Sequence, residues 1–524
     1  MTAHLDTFVR DNLPPHDQWP ELKFTLPELQ FPERYNASSM LDAAIAGGHG
    51  DSAAILNSRG SSTYEQLLVA VNRAAHVLVS EGIEPGTRVL LHATNTWAAL
   101  VAWWAIIRIG GVAVATMPML RARELSAIID SARVTYALHD DILASEIAKA
   151  SKASPTLRHY MGLSELEESI VSGGLTTFSP VLTAADDAAL IAFTSGTTGK
   201  PKGCVHFHRD IAAMALTFSK HVLRPGPNDI FIGTPPLAFT FGLGASVVFP
   251  AAAGAATALC PKPGFDVLAD TIAKHKATTL FTSPTGYRAL MKQDMKKLAS
   301  LHTCVSAGEH LPKATSDQWF ERTGIRIIDG IGSTEMIHIF VSASGDDIRP
   351  GATGKAVPGY EATLLDENDQ PFDGEGEGRL AIKGPTGCRC LADERQKNYV
   401  VNGWNVTGDI YRRDADGYFW YVARADDMIV SSGYNIGAPE VENALLTHES
   451  VAEAAVIGAP DEERGQIVKA FVVLKPGAQV EARMLQEHVK ATIAPYKYPR
   501  AVEFVAELPK THTGKLQRFK LKQP

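Results

Sequence analysis

The chain has 524 residues, 45% of them hydrophobic and 21% charged, with a formal net charge of −8. That length exceeds one comfortable core and predicts two or more domains, while the acidic balance excludes a general nucleic-acid binder, which would carry a basic excess. Five cysteines, odd in number and mostly scattered, argue for free thiols in a reducing compartment over a disulfide framework.

From the N-terminus, Met1-Thr-Ala-His-Leu-Asp6 lacks a basic segment followed by an apolar core, so no secretory signal is expected and a cytoplasmic location is. Residues 1–38, rich in Pro, Asp, Glu and Trp, read as an extended arm laid across a core. An amphipathic helix is expected from Thr63 through about Glu81, capped by Ser62 or Thr63. A strand over 88–92, a helix over 97–109, a strand over 111–115, a helix over 124–131 and a strand over 134–138 follow. Such alternation predicts a parallel, doubly wound α/β layer.

The apolar run Ala188-Ala189-Leu190-Ile191-Ala192-Phe193 then enters Thr194-Ser195-Gly196-Thr197-Thr198-Gly199-Lys200-Pro201-Lys202-Gly203. Glycines expose backbone N–H groups, hydroxyls add short donors and lysines add charge, which together make a phosphate cradle. A solvated Gly/Thr turn is the alternative. The stretch is not a Walker loop, because Thr194 stands at the first Gly position and Pro201 follows Lys200.

Downstream, helices are expected over 210–221, 266–275 and 285–293, with strands over 229–233, 278–282 and 303–306. The long apolar run over 242–260, broken by Pro250, reads as a buried strand-turn-strand rather than a membrane span. From about Arg349, short β pieces (362–365, 378–382, 418–422) predict a smaller barrel or sheet. From about Arg424 a compact α+β unit is expected, with helices over 439–447 and 482–493 and strands over 451–458 and 470–474. Cys388-x-Cys390 has no nearby His or Cys partner in sequence and reads as structural rather than metal-binding.

Further clusters carry nucleotide-like chemistry. Ser306-Ala307-Gly308-Glu309 offers small residues against which a flat ring could lie. Asp329-Gly330-Ile331-Gly332-Ser333-Thr334-Glu335, which follows Ile325-Arg-Ile-Ile, offers backbone, hydroxyls and one carboxylate for Mg²⁺. It is not a dinucleotide fingerprint, since Glu335 stands where the third Gly belongs. Thr407-Gly408-Asp409 and Arg424-x-Asp426-Asp427 could address a ribose or phosphate, and Lys515 ends a Gly-containing turn. Each has a plainer alternative as an ordinary turn or a solvated, salt-bridged surface.

Taken in order, these clusters resemble the motif series of the acyl-adenylate-forming superfamily over residues 60 to 520. Within it, Pro236-Leu-Ala-Phe-Thr-Phe-Gly-Leu-Gly, Ser306-Ala-Gly-Glu-His-Leu-Pro and Asp329-Gly-Ile-Gly-Ser-Thr-Glu-Met-Ile-His-Ile-Phe are most similar to the benzoate and 2-aminobenzoate CoA ligases. The resemblance implies ATP, Mg²⁺ and coenzyme A, a small aromatic carboxylic acid as substrate, neither nucleic acid nor membrane as partner, and a homodimer among the assemblies it allows. It also implies an α/β N-terminal domain over 1–425, with doubly wound sheets and a small β-barrel-like part, and a mobile α+β C-terminal domain over 426–524.

The roles implied are these. Thr194, Ser195, Gly196, Thr197, Thr198 and Gly199, with Lys200 and Lys202, would wrap the β- and γ-phosphates. Glu335 would hold Mg²⁺ and Thr334 would touch the α-phosphate beside Ser333. Gly308, Glu309, Asp329, Gly330, Ile331 and Gly332 would line the adenine site, and Asp409 and Arg424 the ribose. Lys515 would bridge the carboxylate and α-phosphate during adenylation. Asp426 would be the hinge and Gly433 would approach the pantetheine tunnel.

Phe239, Phe241, Gly332, Met336, Ile337 and His338 would line the acid pocket, His338 facing an ortho substituent or remaining an ordinary interior His. Lys497, Arg500, Arg518, Lys520 and Lys522 would meet CoA phosphates or form a solvated basic tail. Ala423 and Val430 depart from the superfamily's common Gly and Lys or Asn beside the hinge. An adenylating module that loads a carrier protein, and a noncatalytic relative or P-loop-type NTPase, are the competing classes.

Overall fold

The computed structural model describes residues 2–195, 201–260, 262–431, 434–461, 464–493, 495–510 and 516–522. The expected helix forms over Tyr64–Ser80, where Thr63 accepts from the Gln66 amide and Gln66 reaches back to Thr63 in a capping box. Its apolar positions Leu67, Val71, Ala74, Ala75 and Leu78 recur at helical spacing and are buried. Trp97–Arg108 is apolar all round and accordingly lies inside the core, with Thr96 capping the Ala99 amide.

Four sheets organise the chain. The first runs His159–Gly162, Tyr136–His139, Arg88–His92, Val112–Thr116, Ala188–Ser195 and Pro201–Phe207, parallel except for its last pair. That last pair is antiparallel, in register from Ala188 opposite Phe207 to Ser195 opposite Pro201. The second sheet is nine-stranded, with a parallel centre that includes Ile230–Gly233, Thr279–Thr282, Thr303–Ser306 and Ile328–Gly332. A third, antiparallel sheet contains Gly376–Lys383, Trp404–Arg413 and Phe419–Arg424. The last sheet is built wholly after Asp427, from Met428–Ser431, Tyr434–Gly437, Val451–Asp461, Gly465–Leu474 and Ala501–Phe504. Doubly wound parallel layers, a small antiparallel sheet and an α+β unit are thus all present.

One expectation is corrected. The run over 242–260 is helical for most of its length: Thr240–Leu243, a wide i→i+5 segment Gly244–Val248, then Phe249–Ala253, with a strand only at Ala256–Ala258. Pro250 sits in the first turn of the last helical piece, where its missing N–H costs nothing, and the wide turn before it relieves the clash with the preceding carbonyls. Asp329 to Gly332 belong to the strand Ile328–Gly332, which pairs with Thr303–Ser306 on one side and Ile339–Ser342 on the other. The N-terminal arm is extended apart from three short helical turns. Among the described residues no helix is long and apolar enough to cross a membrane.

Candidate active site

The strand Pro201–Phe207 alternates as a pleat requires. Val205 and Phe207 pack into an apolar cluster with Leu90, Val112 and Val114. Gly203 lies on that same face, where a Cβ would come within 2.9 Å of Ile191 and Phe193, so only glycine fits. Lys202, Cys204 and His206 share the opposite face, and Lys202 and His206 meet the Thr334–Glu335 segment.

Lys202 was expected in the phosphate cradle; instead it turns inward, 1% exposed, and pairs with Glu335. Its ammonium also lies 3.2 Å from the centre of the Tyr399 ring. Burial opposes both charges. Each partner outweighs it for the other, so Glu335 is held below the ordinary carboxylate range and Lys202 well above the ordinary amine range.

The turn Thr334–Met336 begins at Ser333, whose hydroxyl accepts from the Met336 amide at 3.3 Å. Ile337 then takes φ 67°, a left-handed value that a β-branched residue rarely adopts. That reversal sends Glu335 toward Lys202 and His338 toward a cluster of rings. His338 lies 4.6 Å from Phe249 edge-on, 5.2 Å from Phe218 and 5.9 Å from Phe241, and Phe241 also meets Phe281 at 5.4 Å. Neither ring nitrogen of His338 has a hydrogen-bond partner at normal geometry. Burial pulls its pKa down to about 3, which the Phe241 backbone offsets only in part, so the ring is neutral.

Gly332 is required beside it, since a Cβ there would come within 2.7 Å of the His338 backbone. Met336 and Ile337 are fully buried in the main core, and Phe239 and Phe241 are partly exposed. Asn95 fastens the loop carrying these rings, donating to Pro235 O at 3.0 Å and accepting from the Leu237 amide at 2.8 Å.

On the nucleotide side, Gly308 takes φ 86° and faces open space, and Glu309 accepts from Thr285 at 3.1 Å. Asp329 stands at the mouth of a small cavity with Leu311, Ile327 and Thr353. Its Oδ1 has no partner, and burial, eased only by the Gly330 amide, raises its pKa to about 8. Asp409 and Arg424 stand directly opposite each other on paired strands, 3.3 Å apart. Ala423 is fully buried opposite Ile410, so the Cβ that departs from the superfamily's Gly is accommodated mid-strand.

His310 stacks on Tyr421 at 5.1 Å and meets Asn443 of the helix Ala438–Leu446 at 3.2 Å, joining the last unit to this side of the site. Among the basic residues considered for CoA, Lys497 is paired with Glu440, Arg518 with Glu442, and Lys522 with Asp427 at 3.3 Å. Asp426 closes the turn Ala425–Asp427 between the third and fourth sheets. Gly196, Thr197, Thr198, Gly199, Lys200, Gly433 and Lys515 lie outside the described residues, as does the Ser195 side chain.

Residues 43–391 match the family model for the AMP-binding enzymes, and residues 440–515 match the model for the AMP-binding enzyme C-terminal domain. The chain belongs to the AMP-binding enzymes.

This AMP-binding enzyme is 35% identical to a benzoate–CoA ligase of Thauera aromatica over 95% of the chain and 98% of that protein. A 4-hydroxybenzoate–CoA/benzoate–CoA ligase of Rhodopseudomonas palustris is 33% identical, covering 93% of the chain and 94% of the relative. Among solved structures, an anthranilate CoA ligase in complex with anthranoyl-AMP superposes with a TM-score of 0.89 at 33% identity, covering 95% of this chain and 98% of that one. As an AMP-binding enzyme of this kind the chain is an acid–thiol ligase.

Several residues of the site carry no signal in the sequence taken alone. Period-two alternation from Lys202 points to His206, but Asp210, Tyr399 and Arg389 reach the site only through the fold. Cys204 faces Cys390 across a bridge between strands, and the Cys388 and Cys390 sulfurs lie 3.5 Å apart, all three buried. Among the described residues no group of three or more His, Cys, Asp or Glu is arranged to hold a metal ion. A Mg²⁺ ion bound mainly through substrate phosphates needs only one or two carboxylates, and Glu335 fits that need.

Proposed function

We propose that this ligase activates an aromatic carboxylic acid, 2-aminobenzoate or benzoate, with ATP and passes the acyl group to coenzyme A. The observation that carries this reading is His338, a neutral imidazole among aromatic rings whose two nitrogens have no protein partner at normal hydrogen-bond geometry. Such a ring offers one donor and one acceptor to a substituent beside the carboxylate, while Phe241 and its neighbours favour a flat apolar ring. The likeness to a benzoate–CoA ligase and to a structure holding anthranoyl-AMP supports the same reading.

In the first half-reaction the carboxylate attacks the α-phosphate of ATP, giving an acyl-adenylate and pyrophosphate. In the second, the CoA thiol displaces AMP. Neither step requires a protein nucleophile, so the chain's work is positioning and charge placement. Thr334 would contact the α-phosphate. Mg²⁺, when bound, would neutralise the polyphosphate, and Glu335 is the carboxylate that would hold it. Lys202 would act through Glu335, keeping it ionised, while Thr194 to Lys200 cradle the departing pyrophosphate. Asp329 and Gly308 would flank the adenine, and Asp409 with Arg424 the ribose.

Lys515 would bridge the carboxylate and α-phosphate as a point charge. Residues 426–524 would then turn about Asp426, withdrawing Lys515 and bringing Gly433 toward the thiol. The test is AMP formation from ATP with purified protein, 2-aminobenzoate and CoA, no carrier protein being present. Stoichiometric AMP and aminobenzoyl-CoA are expected; AMP formation that needs a carrier protein, or none at all, would reject the reading.

A further inference from the structure

Behind Thr334 lies a buried polar chain that the steps above do not use. His206 is fully buried, and its Nε2 lies 2.7 Å from the Thr334 carbonyl. A carbonyl only accepts, so Nε2 carries the proton and donates. The other ring nitrogen faces the Asp210 carboxylate at 3.8 Å, four residues on and in the helix that follows the strand. Asp210 is itself fully buried, accepts from the Phe207 amide at 3.0 Å and pairs with Arg389. Arg389 is fully buried too, and its guanidinium lies 4.0 Å from the Phe207 ring centre and 5.4 Å from that of Trp19. Burial opposes the charge on Asp210, and Arg389 outweighs it, holding the carboxyl below its ordinary range.

A buried Arg–Asp–His series is a poor device for stability. Desolvating the charges is costly, and apolar residues of similar volume commonly serve as well. Here part of that cost is visible, since Asp210 Oδ1, Arg389 Nε and Nη1, and His206 Nδ1 have no hydrogen-bond partner. What the series does provide is direction. Arg389 holds the Asp210 carboxylate beside the ring, the ring donates to one carbonyl, and that carbonyl belongs to the residue next to Glu335. On its other side the same short turn is fixed by Lys202, two residues before Cys204 on the same strand face. The turn is thus gripped from one strand at two points, Lys202 on the Glu335 side chain and His206 on the Thr334 backbone.

We propose that His206 is a positioning residue for adenylation, its Nε2–H holding the Thr334 carbonyl so that the Thr334 hydroxyl and Glu335 carboxylate meet the polyphosphate in register. This rests on the role of Thr334 proposed above. Two amide replacements separate the functions of the ring. Glutamine places its amide nitrogen near Nε2 and can still reach Thr334; asparagine places it near Nδ1 and can reach only toward Asp210.

His206→Gln, His206→Asn, His206→Leu and Thr334→Ala are measured in the full chain. One assay follows acid-dependent ATP–pyrophosphate exchange, and the other follows thioester formation from preformed acyl-adenylate and CoA. His206→Asn and His206→Leu are expected to lose about tenfold or more in exchange kcat, the scale of one lost hydrogen bond in a reacting site, while thioester formation stays within about twofold and His206→Gln recovers most of the exchange.

Equal losses for Gln and Asn, retention by Asn alone, or parallel loss of both half-reactions would overturn the proposal. Should His206→Leu fail to fold, the Gln–Asn pair carries the same test. Unchanged exchange in Thr334→Ala removes Thr334 from the reaction and the proposal with it. A large loss there, with every His206 variant unchanged, overturns the proposal alone.

Discussion

Ile337 holds φ at 67°, and a β-branched residue in that region costs on the order of 1–3 kcal/mol. The surrounding core keeps it there, and the return is local: Glu335 and His338, three residues apart, face different surroundings, one toward Lys202 and one toward the cluster of aromatic rings. Asp329 is a second residue held away from its solution behaviour. Its folded pKa, about 8, lies above the ordinary carboxyl value of 3.8, chiefly through burial. The folded state therefore binds more protons than the unfolded state between those values, and its stability falls as pH rises through that window. Denaturant unfolding of wild type should show this decline from about pH 5 to about pH 8, and Asp329→Asn should flatten it. A decline of equal slope in the variant would assign the effect to other groups.

At the scale of elements, the two strands Ile328–Gly332 and Ile339–Ser342 lie so close that Gly330 abuts Ile339 and Gly332 abuts the His338 backbone. Gly332→Ala brings a Cβ within 2.7 Å of main-chain atoms that cannot rotate away. A loss of about 1–3 kcal/mol in unfolding free energy is expected from such overpacking, together with loss of adenylation. An unchanged melting profile with full activity would contradict the close packing.

The same pair of strands shows where local pattern stops informing. Thr63 with Gln66 announces a helix start, and seven residues of Trp97–Arg108 are Trp, Leu, Val or Ile at positions only a buried helix can absorb, so those elements are legible. Asp329 to Gly332 carries two glycines and an aspartate, all poor strand formers, and becomes a strand only because neighbours on both sides supply ladder bonds. The run over 242–260 misleads for the opposite reason. Its small apolar residues satisfy strand and helix alike, and Pro250 looks like a break until a wide turn accommodates it. In the site, motif order singled out Glu335, Asp409 and Arg424, of which the fold brings Asp409 and Arg424 together. Their actual partners, above all Lys202 turned inward and the Arg389–Asp210–His206 series, depend on tertiary contacts between segments far apart in sequence.

At the scale of the whole molecule, three sheets precede the turn at Ala425–Asp427 and a fourth follows it. His310 with Asn443 is one described polar contact between them. If the two half-reactions use different placements of the last unit, Lys515→Ala should abolish pyrophosphate exchange while a preformed acyl-adenylate still yields thioester at near the wild-type rate. Equal loss of both would contradict a division of labour between Lys515 and the rest of the site.

The central claim is that the pocket around His338 selects an aromatic acid. It is tested most directly by acid-dependent pyrophosphate release across substituted benzoates, cyclohexane carboxylates and alkyl acids. The account predicts release with 2-aminobenzoate and benzoate well above every saturated acid; equal or faster release with a cyclohexane or alkyl carboxylate would contradict it.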